Sequence, residues 1–349
     1  MNSSDLLLVT GATGLVGSHV VERARKDGIP VRVLVRSNSD TKLLDDWGVE
    51  KVHGDMSDAE SLKKAVAGAT HVVHCAAKVG DWGPVDDYRA VNVRGVDELL
   101  SAAEAAGSLD ACDPAHPSKA GSMKRYVHIS SLGVYEARDH YGTDESEPPS
   151  TKGIDGYTLT KVESEQVVQR HIAEKSLPAV ILRPGFIYGP RDRTVLPRIL
   201  KNMKAGKVKF LGSGEQLMNN TFVGNLTDAV FLALNKDGVT GRTYNITDGR
   251  LVTKHEFLNT IAELAGYPKP TKHVPLGVAK AVAAVLEKLW KLRGKQEAPT
   301  PSKATIKFLG LNLDYSIQRA KNELGYEPAV DFKDGMKSAV EWAQKSDHG

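Results

Sequence analysis

Tyr157 and Lys161 stand four residues apart in the segment YTLTK (157–161), and Ser131 lies upstream in ISSLGVY (129–135). On a helix that spacing stacks a phenol and an ammonium on one face. A free tyrosine titrates near about pH 10 and is a poor base at neutrality, but a neighbouring cation favours the phenolate and brings it toward the working range. The pair is suited to proton transfer. The same spacing also arises on ordinary helices as a solvated surface pair, so the surrounding motifs must decide between the two readings.

The first of these is Gly11-Ala12-Thr13-Gly14-Leu15-Val16-Gly17, which follows the apolar run Leu6–Thr10 and precedes a helical stretch. Strand, tight turn and helix form the setting in which a backbone approaches a pyrophosphate, with unpaired N–H groups at the helix start facing the anion. Gly11, Gly14 and Gly17 therefore mark a candidate phosphate loop of a dinucleotide. The spacing is G-x-x-G-x-x-G rather than the commoner G-x-G-x-x-G. At the end of the second strand, where an acid would select NAD and an arginine the 2′-phosphate of NADP, the chain has Arg36. NADP(H) is accordingly expected ahead of NAD(H); the plain alternative is a solvent-facing arginine stacked on the adenine. Asp55 and Met56 close the third strand, where a carboxylate can accept from the adenine amino group.

These residues must be held by a scaffold. Strands are expected at Leu6–Thr10, Val31–Val35, Glu50–Gly54, His71–Cys75, Arg125–Ile129 and Ala179–Leu182, with helices near Leu15–Asp27, Ala59–Ala67, Val85–Ala106 and Tyr157–Lys175. That alternation predicts an α/β fold with a doubly wound parallel sheet. We expect a cofactor-binding domain over 1–190 and a smaller mixed α/β substrate lobe over 191–349, with a return to the first domain around 220–250. Gly107 to Ser122 reads as a surface excursion rich in Gly, Pro, Ser and Asp. Cys112 and His116 within it do not make a metal site.

Composition narrows the partners. With 349 residues, 26% of them charged and a net charge of +3, the chain has no basic excess of the kind nucleic-acid binders carry. Two cysteines, Cys75 and Cys112, supply neither a disulfide framework nor a thiolate metal site. The N-terminus enters a strand too early for a secretion signal, and no apolar run reaches the roughly 18 residues of a membrane span. A cytoplasmic protein without a metal is the expectation.

Together, TGATGLVG (10–17), HGDM (53–56), HCAAKVG (74–80), VNVRGV (91–96), ISSLGVY, YTLTK and LRPGFIYGPRD (182–192) resemble an extended short-chain dehydrogenase/reductase over nearly the whole chain. KVGDWGPVDDY (78–88), TFVGNLTDAV (221–230) and EKLWKLRG (287–294) are similar to the branch of 3β-hydroxysteroid dehydrogenases, sterol-4-carboxylate 3-dehydrogenases and 2-alkyl-3-oxoalkanoate reductases. The resemblance implies a Rossmann-type cofactor domain, a secondary alcohol and ketone interconverted on a bulky lipophilic substrate, and a homodimer. It implies Ser131, Tyr157 and Lys161 as catalytic residues, with Ser130 structural and Asn92 an anchor. It implies that Thr13 and the Leu15 and Val16 amides contact the pyrophosphate with the three glycines, and that Ala76, Ala77, Lys78, Tyr157, Lys161 and Pro184 join them in holding the cofactor. Tyr157 as phenolate would take the hydroxyl proton while the carbinol hydride passes to the nicotinamide. Ser131 would hold the substrate oxygen, and Lys161 would depress the tyrosine pKa. Two alternatives are a nucleotide-sugar epimerase or dehydratase with retained NAD, which the basic Arg36 disfavours, and a non-catalytic NADP(H) sensor, which the intact Tyr/Lys pair disfavours.

Val278, Val282, Val285, Leu289 and Leu292 recur at helical intervals among Lys280, Glu287, Lys288, Lys291 and Arg293. The expected helix over 277–294 has three readings: lobe core or pocket wall first, then peripheral membrane contact, then a partner interface. Lys78, Trp82, Tyr88, Tyr188 and Asn220 are candidates for the pocket rim.

Overall fold

The apolar runs form one seven-stranded sheet in the order Thr243–Ile246, Ala179–Pro184, Arg125–Ile129, His71–His74, Leu7–Thr10, Val31–Val35, Glu50–His53. Every pairing in it is parallel. The structure is a computed structural model that describes residues 1–107, 123–152, 155–295 and 297–346. The Gly107–Ser122 excursion, with Cys112 and His116, lies outside the described residues except at Gly107.

Parallel strands joined by crossover helices are covered on both faces, which is why Leu7, Leu8 and Val9 are all fully buried rather than alternating in and out. Leu7 and Val9 pack into the cluster under the helices Leu15–Lys26 and Val223–Asn235. Leu8 points the other way, toward Ala59–Val66, Gly95–Ala105 and Gly156–Lys175. Strand order reverses between Leu7–Thr10 and His71–His74, and a doubly wound sheet opens its ligand crevice at the carboxyl ends of the strands beside such a reversal.

Two local features depart from the sequence reading. The stretch expected as one helix over 85–106 is Val85–Arg89, a π turn over Ala90–Arg94, and Gly95–Ala105. The wide turn carries Asn92, whose side chain bonds to neighbouring segments rather than to its own helix. The seventh strand, Thr243–Ile246, is not among the six named from sequence, although it falls within the 220–250 stretch expected to return to the first domain. Its TYNI sequence breaks an apolar run with Asn245, which is buried because its carboxamide accepts from the Tyr135 hydroxyl at 2.9 Å.

Beyond the sheet, the helices Val195–Lys204, Lys254–Ala265 and Phe332–Ser346 close a second core around Phe257, Phe332 and Met336. Short parallel pairs link it to the sheet side: Asn220–Phe222 runs with Phe186–Tyr188, and Leu313–Tyr315 with His140–Thr143.

The helix Leu276–Leu292 divides its contacts between faces in a way the apolar spacing alone did not indicate. It packs through its small side, Ala279 and Ala283, against Ile306 of the helix Lys303–Gly310 and Leu211. Val278, Val282, Val285, Leu289 and Leu292 are exposed, while Ala279 and Ala283 supply the core contact and Glu287 and Lys291 of the same helix line a cavity. Two alanines leave room for close helix packing, and that turns the larger valines and leucines outward.

Candidate active site

The glycine loop is shaped by close backbone approach. Gly11 has φ +69°, and a Cβ there would meet the Ala76 amide nitrogen at 2.7 Å; one at Gly17 would lie 2.3 Å from the Gly11 carbonyl oxygen. Only glycine lets the first helix sit this tightly on the loop. Gly14 is the N-cap of Leu15–Lys26, no side chain caps it, and no carboxylate stands in its first turn. A helix start of this kind accepts an anion. Arg191, which sequence reasoning passed over, lines a small cavity with Thr13, and its Nε is buried without a hydrogen-bond partner. Its guanidinium reaches Glu22 at 2.8 Å and lies over the Trp47 ring. The loop and this arginine fit a pyrophosphate.

Arg36 follows the second strand directly and is exposed, with no side-chain bond among the described residues. Gly54 donates to the Val35 carbonyl, which brings Asp55 to the same strand end. The Asp55 carboxylate accepts from Ser57, and the Met56 side chain is buried against Gly95. Ala76, Ala77 and Lys78 continue the fourth strand as a half-buried loop, and Pro184 ends the sixth.

Ser131 caps a 3-10 turn, Leu132–Val134: its Oγ accepts from the Gly133 amide at 3.0 Å, which leaves the hydroxyl proton for another acceptor. The helix Gly156–Lys175 begins at Asp155, whose carboxylate accepts from the Thr158 amide at 2.8 Å. That cap places Tyr157 in the first turn and Lys161 one turn further. Lys161 is buried, and its Nζ donates to the Ile129 carbonyl at 2.8 Å. A Cβ built on Gly133 would lie 2.8 Å from Thr158 Cγ2 and 3.1 Å from Ser131 Oγ, so the serine turn and the helix start are in contact.

The electrostatics differ from the expectation that Lys161 lowers the tyrosine. Burial pushes the Tyr157 phenol up to about 12, and the Asp155 carboxylate pushes the same way. Burial also lowers Lys161 to about 8, opposed by Cys75 and Glu165. Desolvation sets the direction of both shifts, and the ammonium is turned to a backbone carbonyl.

Ser130 is turned away from the crevice. Its hydroxyl donates to Glu165 at 2.5 Å, and Arg183 grips the same carboxylate at 2.6 and 2.9 Å while donating to the Tyr135 hydroxyl. This buried network fixes the fifth and sixth strands to the helix and so sets the backbone of Ser131. Asn92 anchors the other side: its Oδ1 accepts from the Lys78 amide at 2.7 Å, and its Nδ2 donates to the Lys78 carbonyl and Thr160 Oγ1, both at 3.0 Å.

A cavity of about 430 Å³ opens beside the helix start, lined among others by Trp82, Val85, Tyr88, Asp155, Lys291 and Lys303. Of the rim candidates, Trp82 borders it and donates to the Lys295 carbonyl at 2.8 Å. Tyr88 is almost wholly buried, its hydroxyl tied to the Trp82 carbonyl, and Lys78 pairs with Asp87. Asn220 is buried with both side-chain polar atoms unpaired. Tyr188 does not reach a rim: it is fully buried, packs on Phe222 and Phe332, and donates to Asp248. Sequence reasoning missed Asp155 and Lys307. A cap signal pointed to the former; nothing in a distant C-terminal segment announced that the latter returns to Ser131.

Residues 7–247 match the family described as NAD dependent epimerase/dehydratase. The chain is similar to the 2-alkyl-3-oxoalkanoate reductase of Shewanella oneidensis, 32% identical over 341 residues that cover 94% of this chain and 84% of that protein. It is also similar to the human sterol-4-alpha-carboxylate 3-dehydrogenase, decarboxylating, 28% identical over 348 residues, with 97% and 88% covered. Among solved structures, gox2253 superimposes with a TM-score of 0.78 at 29% identity, covering 98% of each chain.

Proposed function

The chain belongs to the NAD dependent epimerase/dehydratase family, and we propose that it interconverts a secondary alcohol and a ketone on a bulky lipophilic substrate of the 3-oxo or 3-hydroxy type. The observation that carries this reading is the contact between the Ser131 turn and the helix start that bears Tyr157, one turn before Lys161 and at the carboxyl ends of the strands.

A nicotinamide dinucleotide, when bound, supplies the hydride chemistry. The Gly11–Gly17 loop would hold its pyrophosphate, Arg36 and Asp55 its adenosine end, and the 76–78 loop, Lys161 and Pro184 its nicotinamide end. Ser131 donates a hydrogen bond through its hydroxyl to the substrate oxygen and keeps its proton. Tyr157 gives the proton to the nascent alkoxide in reduction, a role suited to a phenol that stays protonated at neutral pH, and takes it back in oxidation. Asn92 keeps the Lys78 loop and the helix in register while this happens.

Arg36 supports NADP(H) over NAD(H), since its guanidinium is unengaged at the second strand's end. The exposed apolar face of Leu276–Leu292, with Lys288 and Arg293 flanking it, supports peripheral contact with an anionic membrane from which a lipophilic substrate is drawn. A homodimer through the helices beginning at Val85 and Gly156 completes the reading, and sedimentation equilibrium tests it. The decisive experiment is turnover with both cofactors against a 2-alkyl-3-oxo acid, a 3-hydroxysteroid and a UDP-hexose. Activity on either lipid substrate alone supports the proposal; activity confined to the UDP-hexose overturns it.

A further inference from the structure

Asn220 is 2% exposed, and among the described residues neither its Oδ1 nor its Nδ2 has a hydrogen-bond partner. An amide held out of water with donor and acceptor both unmatched carries the desolvation cost of each. The Oδ1 of the neighbouring Asn219 is buried and unmatched as well. Such groups are rare in folded chains and call for a partner that the fold itself does not supply.

The backbone shows where that partner would lie. Thr221 is turned to the sheet: its Oγ1 donates to the Ile246 carbonyl at 2.9 Å and accepts from the Gly185 amide at 3.0 Å. Side chains alternate along a strand, so Asn220 is turned the other way. It stands opposite Phe186 in a parallel pair and shares its face. The Phe186 ring lies 4.8 Å from that of Phe308, and both rings are half-buried. Phe308 follows Lys307, whose Nζ donates to the Gly133 carbonyl in the serine turn at 2.7 Å. Consecutive residues of the helix Lys303–Gly310 thus touch the Ser131 turn and the aromatic pair beside Asn220. The fixed charge near the amide is negative: the Asp248 carboxylate accepts from the Phe222 amide at 2.7 Å, and the Asp248 amide donates to the Asn220 carbonyl at 2.8 Å.

We propose that Asn220 is a specificity residue that holds an uncharged substrate group, a hydroxyl or an amide, set apart from the reacting carbon. The inference rests on the alcohol/ketone reading above and adds a second polar anchor to it. Ser131 holds the reacting oxygen, Asn220 the remote group, and the hydrocarbon between them lies along Phe186 and Phe308. A group that both donates and accepts meets the two atoms of the carboxamide. An ionised phosphate, which only accepts, leaves Oδ1 unmatched and faces Asp248.

The test panel is a set of 2-alkyl-3-oxo acids of graded chain length that end in a hydroxyl, a primary amide or a methyl group, beside 3-hydroxysteroids that carry or lack a hydroxyl at the far end. Wild type should favour a hydroxyl or amide end about a hundredfold in kcat/KM at its best length, and the separate arms tell which group is taken. Asn220→Leu keeps the shape of the amide without its polar atoms, so the preference should vanish and the methyl-ended compound should gain. Asn220→Ala, which introduces no clash, should lose the preference too. The leucine variant should also melt a few degrees above wild type, because the unmatched groups are gone. A wild type indifferent to the end group, a preference that survives in both variants, or melting well below wild type in both overturns the assignment. No turnover of any member with either cofactor removes the alcohol/ketone reading as well, a result distinct from indifference.

Discussion

Lys161 Nζ and the Ile129 carbonyl are joined by a buried 2.8 Å hydrogen bond that ties the helix bearing Tyr157 to the strand end bearing Ser131. Helix and strand come from different crossovers, so their side chains share a site only if some contact fixes their relative height. This bond does so from beneath, and the Gly133–Thr158 contact does so at the mouth. The lysine is a positioning group as much as an electrostatic one.

Tyr157→Phe removes the proton carrier and leaves that scaffold whole. Turnover should fall about 10²- to 10⁴-fold, with the dissociation constant for NADPH nearly unchanged. Single-turnover kinetics beside cofactor fluorescence titration measure both. Near-normal turnover would remove Tyr157 from the chemistry.

The charge behind the tyrosine is separately testable. Asp155 helps hold the phenol up near 12, so alcohol oxidation, which needs the phenolate, should climb with pH through the alkaline range. Asp155→Asn keeps a good N-cap and deletes the like charge. The tyrosine pKa then drops, and the rising limb of the oxidation profile moves to lower pH. A profile that stays put, or moves to higher pH, contradicts this account.

Asn92→Leu takes three bonds from a buried site and strands the amide and carbonyl of Lys78. The cost should be about 1–3 kcal/mol, read as a lower urea midpoint. Because the freed loop is the one expected under the nicotinamide end, KM for cofactor should rise more than kcat falls. An unchanged KM would confine Asn92 to stability.

Much of this was legible before any coordinates. The six strands named from sequence lie in the sheet because parallel strands buried on both faces read as plain apolar runs, and Gly11 and Gly17 were marked by a spacing whose steric cause the close approaches supply. Legibility failed where long-range contact decides. Asn245 is polar yet buried because Tyr135, over a hundred residues away, satisfies it. Tyr188 looked like a rim residue until Asp248 claimed its hydroxyl, and Lys307 gains meaning only from Gly133. The pKa of Tyr157 ran against the motif's logic because spacing encodes a neighbour's charge and leaves out the water that burial removes.

Arg36→Glu tests the cofactor choice. A carboxylate at the second strand's end repels a 2′-phosphate and accepts from a 2′-hydroxyl, so KM should rise about tenfold or more for NADPH and fall for NADH. The position is exposed, and the melting temperature should hold within a degree or so. Equal effects on both cofactors would detach Arg36 from the ribose.

The outward face of Leu276–Leu292 gives the last test. Val278, Val282, Val285, Leu289 and Leu292 are 55, 41, 59, 39 and 77% exposed and follow one another at helical spacing. A contiguous apolar stripe on a surface usually has an occupant. Lys288 and Arg293 flanking it favour an anionic bilayer, and no helix among the described residues is long and apolar enough to cross one. The protein should therefore float with phosphatidylserine vesicles at low salt, less at high salt, and weakly with neutral ones. Val285→Glu combined with Leu292→Glu should abolish flotation while leaving turnover of dissolved substrate intact, since neither side chain touches the cavity. Wild type left in the lower fraction at low salt would end the membrane reading.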